Sequence, residues 1–302
     1  MKRMLVGIDG SSASLHALSW AAHLGLNLHT ELVVVTAYVA DQSASISWND
    51  AHRVARQRLE DQWCLPAHQL GASYRAEVVD GDPGAAILTA AEHEEADLIV
   101  LSSRGRGGFA GLLMGSVADS VAHHTDRPLA IVPAASRSEV PRHVVVAMDA
   151  SDGARAAVDW LAPIASALEA DVVAVTVLRP PDPLESSTSA RHERAVELLG
   201  GPWTEPFRDH GVRVETRVLV DHHPAAALLE FAEAEHADAL VAGTRQVHKL
   251  RLVRLGGVTM QLLHNGQIPI VVVPPAPEVA VERDGDCSLA RSSGAAVRAK
   301  RA

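Results

Sequence analysis

The chain is built from one unit that occurs twice along the sequence. Residues 4–9 read MLVGID and residues 144–149 read VVVAMD, so each copy opens with an apolar run that ends in an aspartate. An alanine-rich segment follows in both copies, with Trp20 in the first and Trp160 in the second, 140 residues further on. Self-similarity at a fixed period marks a repeated structural unit. The sequence therefore predicts two similar domains, with Trp20 and Trp160 packed in equivalent cores.

The later parts of the two copies also correspond. The segment VVDGDPGAAILTAAEHEEADLIVLSSR at 78–104 matches VLVDHHPAAALLEFAEAEHADALVAGTR at 218–245. A polar stretch that ends in proline separates the copies, as is typical of a linker, and the end of the chain has no sustained period. The predicted parts are a first domain at 1–134, a linker at 135–141, a second domain at 142–276 and a disordered tail at 277–302.

Five short apolar runs alternate with helical segments in each copy. They are rich in valine and isoleucine without polar alternation, which is typical of parallel strands covered by helices on both faces. Connections between such strands run through helices with a fixed hand. Each half is therefore predicted to be a doubly wound α/β domain, Rossmann-like, with a parallel five-stranded sheet. In the first half the predicted strands lie near 4–8, 31–38, 74–80, 97–102 and 128–132.

The charge balance and the cysteines limit the remaining functions. The chain has 27 Lys and Arg against 37 Asp and Glu, a formal net charge of −10, whereas nucleic-acid binding needs a basic surface. Cys64 and Cys287 lack the spacing of metal ligands. No apolar window approaches the ~18 residues of a membrane span. We therefore expect a cytoplasmic protein without a nucleic-acid or membrane partner.

A glycine-rich stretch, SSRGRGGFAGLLMGS at 102–116, follows the fourth predicted strand and leads into a helix at 117–125. In an open parallel sheet, ligands bind beyond the carboxyl ends of the strands, where this stretch and Asp9 both lie. Glycines let the backbone approach a phosphate chain, and a helix start offers it free N–H groups. The alternative is an ordinary loop in which Ser116 and Asp9 only cap helices.

Other chemistries lack their motifs. There is no GxxxxGK[ST], and no GxGxxG follows the first strand, so Walker-type and classical NAD sites are not expected. The pairs His123–His124 and His222–His223 have no partner at metal-ligand spacing, and we assign no metal to them. No G-x-S-x-G occurs, and we assign no catalytic residue. Trp63 and Trp203 receive no role.

The loop and the repeat together resemble the universal stress protein family in its tandem, actinobacterial-like form. The family's ATP-binding motif reads Gly, two residues, Gly, nine residues, Gly and then Ser or Thr. Here the same spacing holds Ser102, Gly105, Gly115 and Ser116, with serine in place of the first glycine. The resemblance implies an adenine-nucleotide alpha hydrolase-like fold that binds ATP, with Mg²⁺ or Mn²⁺ carried by the phosphates.

The resemblance also assigns residues of the first half to parts of ATP. Gly7 and Ala37 would line the adenine pocket, and Asp9 would approach the adenosine. The helix start would bind phosphate through Ser116, Val117 and Ala118, together with Gly115. The remaining contacts, to ribose and phosphates, would come from Ser102, Ser103, Arg104, Gly105, Arg106, Gly107 and Gly108.

The second half departs further from the family's motif, since Gln246 replaces the middle glycine and Gly257 replaces the final serine. A glutamine side chain can crowd the phosphate path or force a different turn. We therefore predict that the first half binds ATP well and the second half weakly. The residues of this weaker site are Ala147, Asp149, Val177, Gly243, Arg245, Gly256, Gly257 and Val258.

Three functions stay open at this point. The first is an ATP-binding regulator of a stress or dormancy response with little or no turnover, which would act on an unidentified regulatory protein partner. The second is a slow ATPase or nucleotidyl-transfer enzyme, and the third is a scaffold that binds no nucleotide. Fold alone does not decide between them. By analogy with dimers of the family, the halves would pair through strands 128–132 and 269–273, and a homodimer is a further option.

Overall fold

Ten strands form one continuous, mostly parallel sheet that runs through both halves of the chain. The computed structural model describes residues 1–38, 48–105, 114–137, 139–180, 188–247, 252–254 and 256–275. The predicted tail at 277–302 lies outside these residues, as do Arg106, Gly107 and Gly108 of the predicted phosphate loop.

The first half alternates strands with helices in the predicted order. A π-helix, Leu59–Trp63, interrupts the helical connection between its second and third strands. The elements are β1 (Arg3–Gly7), α1 (Ser12–Leu28), β2 (Glu31–Tyr38), α2 (Trp48–Arg58), α3 (Leu65–Leu70), β3 (Tyr74–Asp80), α4 (Pro83–His93), β4 (Leu98–Ser102), α5 (Ser116–His124) and β5 (Leu129–Val132).

The second half repeats this order and has a short hairpin after its fourth strand. None of the described helices in either half is both long and apolar enough to cross a membrane. The elements are β6 (His143–Ala147), α6 (Asp152–Ala167), β7 (Asp171–Leu178), α7 (Thr188–Gly200), α8 (Glu205–Asp209), β8 (Val214–Val220), α9 (Pro224–Ala234), β9 (Ala239–Gly243), β10 (Arg245–Val247), β11 (Leu252–Arg254), α10 (Gly257–Asn265) and β12 (Ile270–Val273).

The strand order is β3-β2-β1-β4-β5 in the first half and β12-β9-β6-β7-β8 in the second. All neighbours within each half are parallel, which confirms the predicted doubly wound α/β fold. The halves meet where β5 and β12 pair antiparallel, with Ala130 opposite Val271 at the centre. This pairing removes one exposed edge from each sheet and relates the halves as a pseudo-twofold pair.

Two apolar layers cover the sheet, because successive strand residues point to opposite faces. In β1, Met4 and Val6 join the core beneath α1, whereas Leu5 joins the core beneath α4 and α5. All three side chains are fully buried. Since both cores contain residues of both halves, the halves share one packed body on each face of the sheet.

The two tryptophans of the repeat pack on the same apolar core, as the sequence predicted, but they differ in exposure. Trp20 is buried, but Trp160 is only partly buried and lines a groove at the boundary between the halves. Arg127 and Pro128 of the first half form the other side of that groove. Trp160 therefore has a different environment from Trp20, although the two residues are equivalent in the repeat, because the halves meet beside Trp160.

Backbone meets backbone at one point of the second half. A Cβ atom on Gly153, in the first turn of α6, would overlap the carbonyl oxygen of Thr244, and one on Gly243 would overlap Gly153 itself. The equivalent positions of the first half hold Ala13 and Ser102. Only glycine permits this approach of α6 to the end of β9, and the approach is therefore specific to the second half.

We predict that Gly153→Ala lowers the free energy of unfolding by about 1–3 kcal/mol, since the methyl group has no space. Thermal unfolding followed by circular dichroism measures this effect. Gly200→Ala is the matched control, because a Cβ there meets nothing within 4 Å. In a helix this control change should be neutral or slightly stabilising. Equal melting temperatures for the two variants would contradict the close approach.

Cys64 lies in the core directly after the π-helix. Its backbone N–H donates to the carbonyl oxygen of Leu59 (2.9 Å), and its side chain is fully buried. Burial, together with the smaller effect of the nearby Glu60 carboxylate, raises the pKa of the Cys64 thiol from 9.0 to about 12. The side chain therefore behaves as a small apolar group and not as a nucleophile.

We predict that Cys64 resists alkylation by iodoacetamide at pH 8 in the folded protein. The raised pKa lowers its thiolate fraction by ~1,000-fold, and burial also blocks access of the reagent. Peptide mass spectrometry after a timed reaction gives the modified fraction, with the urea-unfolded protein as the reactive control. Rapid modification in the folded protein would show that this part of the core opens.

Candidate functional site

A cleft of about 540 Å³ opens at the carboxyl ends of β1, β2 and β4. This is the edge at which parallel sheets bind ligands, because the chain leaves each strand there in a loop. Many of the predicted site residues of the first half line it. They are Gly7, Asp9, Ala37, Ser102, Arg104, Gly105, Gly115, Ser116, Val117 and Ala118.

Ser103 does not line the cleft but joins the two ends of the loop. Its backbone N–H donates to the carbonyl oxygen of Val132 (3.1 Å), and its own carbonyl oxygen accepts from the N–H of Gly115 (2.8 Å). Ser102, which stands in place of the motif's first glycine, donates its hydroxyl to the carbonyl oxygen of Arg104 (2.7 Å). The serine thus supports the turn at this position.

Asp9 is held at the edge of the sheet by the start of α1. One carboxylate oxygen accepts a hydrogen bond from the N–H of Ser11 (2.9 Å). The other oxygen, Oδ2, would lie only 2.6 Å from a Cβ atom on Gly105. Glycine at position 105 therefore lets the loop after β4 approach the end of β1 without displacing the Asp9 carboxylate.

The cleft has an apolar end beneath Gly7. A Cβ atom there would lie 2.5 Å from Leu101 Cδ2 and 2.9 Å from Ile87 Cδ1. Glycine at this position leaves the aliphatic side chains of Ile87 and Leu101 as the floor of the cleft, with Pro83 and Val35 beside them. This end suits an uncharged, flat group.

The start of α5 also lines the cleft. Its N-cap residue is Gly115, which has no side chain to accept hydrogen bonds from the first N–H groups of the helix. By contrast, Ser11 caps α1 through its hydroxyl, and Asp82 caps α4 through its carboxylate. The N–H groups of Ser116, Val117 and Ala118 are thus available to an anion.

Trp63 also lines this cleft, although the sequence analysis gave it no role. It ends the π-helix and is half-buried against the core that contains α1. A signal for it was present in the sequence, since Trp63 and Trp203 stand 140 residues apart, as Trp20 and Trp160 do. π-Helical turns are frequent at functional sites.

The second half has its own cleft, of about 570 Å³, at the carboxyl ends of β6, β7 and β9. The predicted residues that line it are Ala147, Asp149, Val177, Gly243, Gly256, Gly257 and Val258. Arg245 lies on β10. Three further residues with cationic or titratable side chains line this cleft, and the sequence did not predict them there. They are Arg179, His222 and His223.

The chain leaves β9 differently from the way it leaves β4. Position 246, where the motif has glycine, pairs with Val253 in the antiparallel hairpin of β10 and β11. At the equivalent place in the first half, Gly105 turns toward Asp9 and not into a strand. The second cleft therefore lacks the loop geometry that brings the first cleft's glycine beside its aspartate.

The histidine pairs take up different positions. His123 and His124 direct Nδ1 to the carbonyl oxygens of Asp119 (2.8 Å) and Ser120 (2.7 Å) in the last turns of α5. His222 and His223 instead border the second cleft. Over the described residues, no three His, Cys, Asp or Glu side chains lie together as a metal site would require.

Fold and clefts together define a tandem α/β protein with one cleft per half, at the carboxyl ends of its parallel strands. The chain belongs to the universal stress protein family, whose family model matches residues 1–133 and 141–274.

Relatives of known sequence share the tandem arrangement. A universal stress protein of Mycobacterium tuberculosis is 26% identical over 311 residues, which cover 91% of this chain and 96% of the relative. One of Mycolicibacterium smegmatis is 27% identical over 295 residues, 90% of this chain and 97% of the relative. Among solved structures, a universal stress protein from Archaeoglobus fulgidus has a TM-score of 0.69 at 19% identity, covering 90% of this chain and 98% of that one. This last likeness supports the fold alone.

We predict that Gly115→Ala and Gly256→Ala both fold like the native protein. A Cβ on Gly115 would be 3.6 Å from the nearest atom, the carbonyl oxygen of Ser103, and one on Gly256 would meet nothing within 4 Å. Neither residue has a positive φ. Melting temperatures within about 2 °C of the native value are expected, given that one kcal/mol shifts a domain of this size by a few degrees. A large decrease for either variant would show that the residue is needed for folding.

Proposed function

We propose that the first half binds ATP and that the protein is a nucleotide-dependent regulator of a stress or dormancy response, with little or no turnover. The observation that carries this proposal is the composition of the first cleft. It combines aliphatic side chains beneath Gly7, the uncapped start of α5, and Asp9 beside Gly105. A volume of about 540 Å³ is within the range of nucleotide-sized pockets.

The arrangement supports one orientation of the nucleotide. The flat adenine would enter the aliphatic end, and the phosphates would reach the N–H groups of Ser116, Val117 and Ala118. Arg104, which also lines the cleft, supplies positive charge on the phosphate side. A divalent cation, Mg²⁺ or Mn²⁺, would be held by the phosphates, as is usual for nucleotide-bound magnesium.

The second cleft is proposed as the weaker nucleotide site. It retains Asp149, whose carboxylate accepts from the N–H of Ser151 (2.9 Å), and the uncapped start of α10. It lacks the glycine loop beside the aspartate, because β10 and β11 occupy that stretch of chain. Fewer backbone N–H groups can therefore surround a triphosphate.

We propose that ATP acts by biasing the protein toward a regulatory protein partner. The clefts supply groups that bind a nucleotide: the uncapped helix starts and the strand-end aspartates. Cytoplasmic location and further homodimerisation belong to the same proposal.

Nucleotide content tests the proposal directly. The purified protein is denatured, and the released nucleotide is quantified by ion-pair chromatography and mass spectrometry. Gly115→Ala should empty the first cleft, since its methyl group enters the phosphate path, and about one ATP per native chain should decrease to nearly none. The matched variant at the equivalent position, Gly256→Ala, should leave the content unchanged.

Other results would lead to other functions. Two ATP per chain would show that the hairpin in the second half does not impair binding. No nucleotide, together with no thermal shift in millimolar ATP and magnesium, would favour the scaffold. Steady release of phosphate or pyrophosphate that Asp9→Ala abolishes would favour the enzyme.

A further inference from the structure

Equivalent tryptophans take up different positions in the two halves. Trp63 lines the first cleft, whereas Trp203 lines a small cavity of about 90 Å³ that shares Met148, Asp149 and Ser151 with the second cleft. Among the residues that border the second cleft, Trp203 is absent. One cleft therefore has an aromatic wall and the other does not, although the repeat supplies a tryptophan to both.

The residue after each strand-end aspartate explains the difference. Gly10 follows Asp9 and has a φ of +75°, and a Cβ atom there would lie 2.5 Å from the indole Nε1 of Trp63. The ring therefore rests directly on the Gly10 backbone. The second half has Ala150 at this place, and its φ is not positive. The Cβ of an alanine would exclude an indole from the same position.

Trp63 and the aliphatic floor lie on opposite sides of the first cleft. The tryptophan packs on the core that contains α1, whereas Ile87 packs on the core that contains α4 and α5. Both residues border the same cavity, as does Pro83 at the start of α4. The cavity is thus a slot between an indole and aliphatic side chains, a shape that suits a flat ring.

We infer that Trp63 is a specificity-determining residue, which packs its indole against the nucleoside part of the bound nucleotide. Gly10 makes this possible by leaving space for the ring. The inference rests on the proposed ATP binding. It adds a reason why the first cleft would bind a nucleotide more tightly than a polyphosphate without a nucleoside. A polyphosphate fits the start of α5 equally well but has no ring to place against the tryptophan.

The size of the effect follows from ring stacking in general. Loss of one aromatic partner of a base weakens binding by about 5- to 150-fold. Since tripolyphosphate has no nucleoside, its affinity should not depend on the indole. The ratio of the two affinities therefore reports the contact itself and not the integrity of the phosphate site.

Calorimetric titrations of nucleotide-free protein with ATP and with tripolyphosphate, both with magnesium, test the inference. Trp63→Leu should weaken ATP binding about 5- to 150-fold and leave tripolyphosphate within about twofold of the native affinity. Trp63→Phe should keep most of the ATP affinity, because a smaller aromatic ring remains. Gly10→Ala should behave like Trp63→Leu, and Trp203→Leu, the matched control, should behave like the native protein.

Tryptophan fluorescence gives a second measurement that does not depend on Trp63→Leu folding well. ATP should change the emission of the native protein and of Trp203→Leu, and this change should be mostly lost in Trp63→Phe. An undiminished change in Trp63→Phe would overturn the inference.

Two binding results would also overturn it, and they can be told apart from a failure of ATP binding itself. One is unchanged ATP affinity in Trp63→Leu, and the other is an equal loss of ATP and tripolyphosphate. In both, the native protein still binds ATP and the proposed function stands. If the native protein binds neither ligand, the proposed function and this inference fail together.

Discussion

The parallel direction of the strands within each half is the constraint on which both clefts depend. Each crossover returns the chain to the same edge of the sheet, so that the carboxyl ends of β1, β2 and β4 lie together there. Asp9 and the loop at Gly105 are thereby brought into contact from positions almost a hundred residues apart in the sequence. The antiparallel pairing of β5 with β12 then joins the two half-sheets side by side through these strands, and not through the carboxyl ends where the clefts lie.

Because the chain contains two copies of the unit, each half serves as a reference for the other. Both have an aspartate at the end of the first strand, a hydroxyl cap on the first helix and an uncapped fifth helix start. They differ where single residues decide the backbone path. Gly105 turns toward the aspartate, whereas position 246 enters a hairpin, and Gly10 accepts an indole that Ala150 would exclude. Small changes on a shared scaffold thus give clefts of similar volume but different lining.

Periodicity and glycine placement predicted the fold class and the edge of the sheet where the cleft lies. They did not predict which side chains complete the walls. Trp63 reaches its cleft from a helical connection whose length and bend leave little trace in the hydrophobic pattern, and the pair His222–His223 borders the other cleft from the short loop between β8 and α9. Trp160 packs on the same core as Trp20, as expected, but it also faces the groove where the two halves meet. That environment exists only once the halves have paired.

By itself the sequence determined the repeat, the parallel α/β architecture and the positions of Asp9 and the loop glycines, because these depend on local patterns along the chain. Only the tertiary structure decided how the two halves differ. An indole can lie on Gly10 because that residue has a left-handed backbone and no Cβ, and α6 can approach β9 because Gly153 and Gly243 meet without side chains. Such contacts join residues that are distant in sequence. Whether they form depends on the space between packed elements, which a local sequence pattern does not contain.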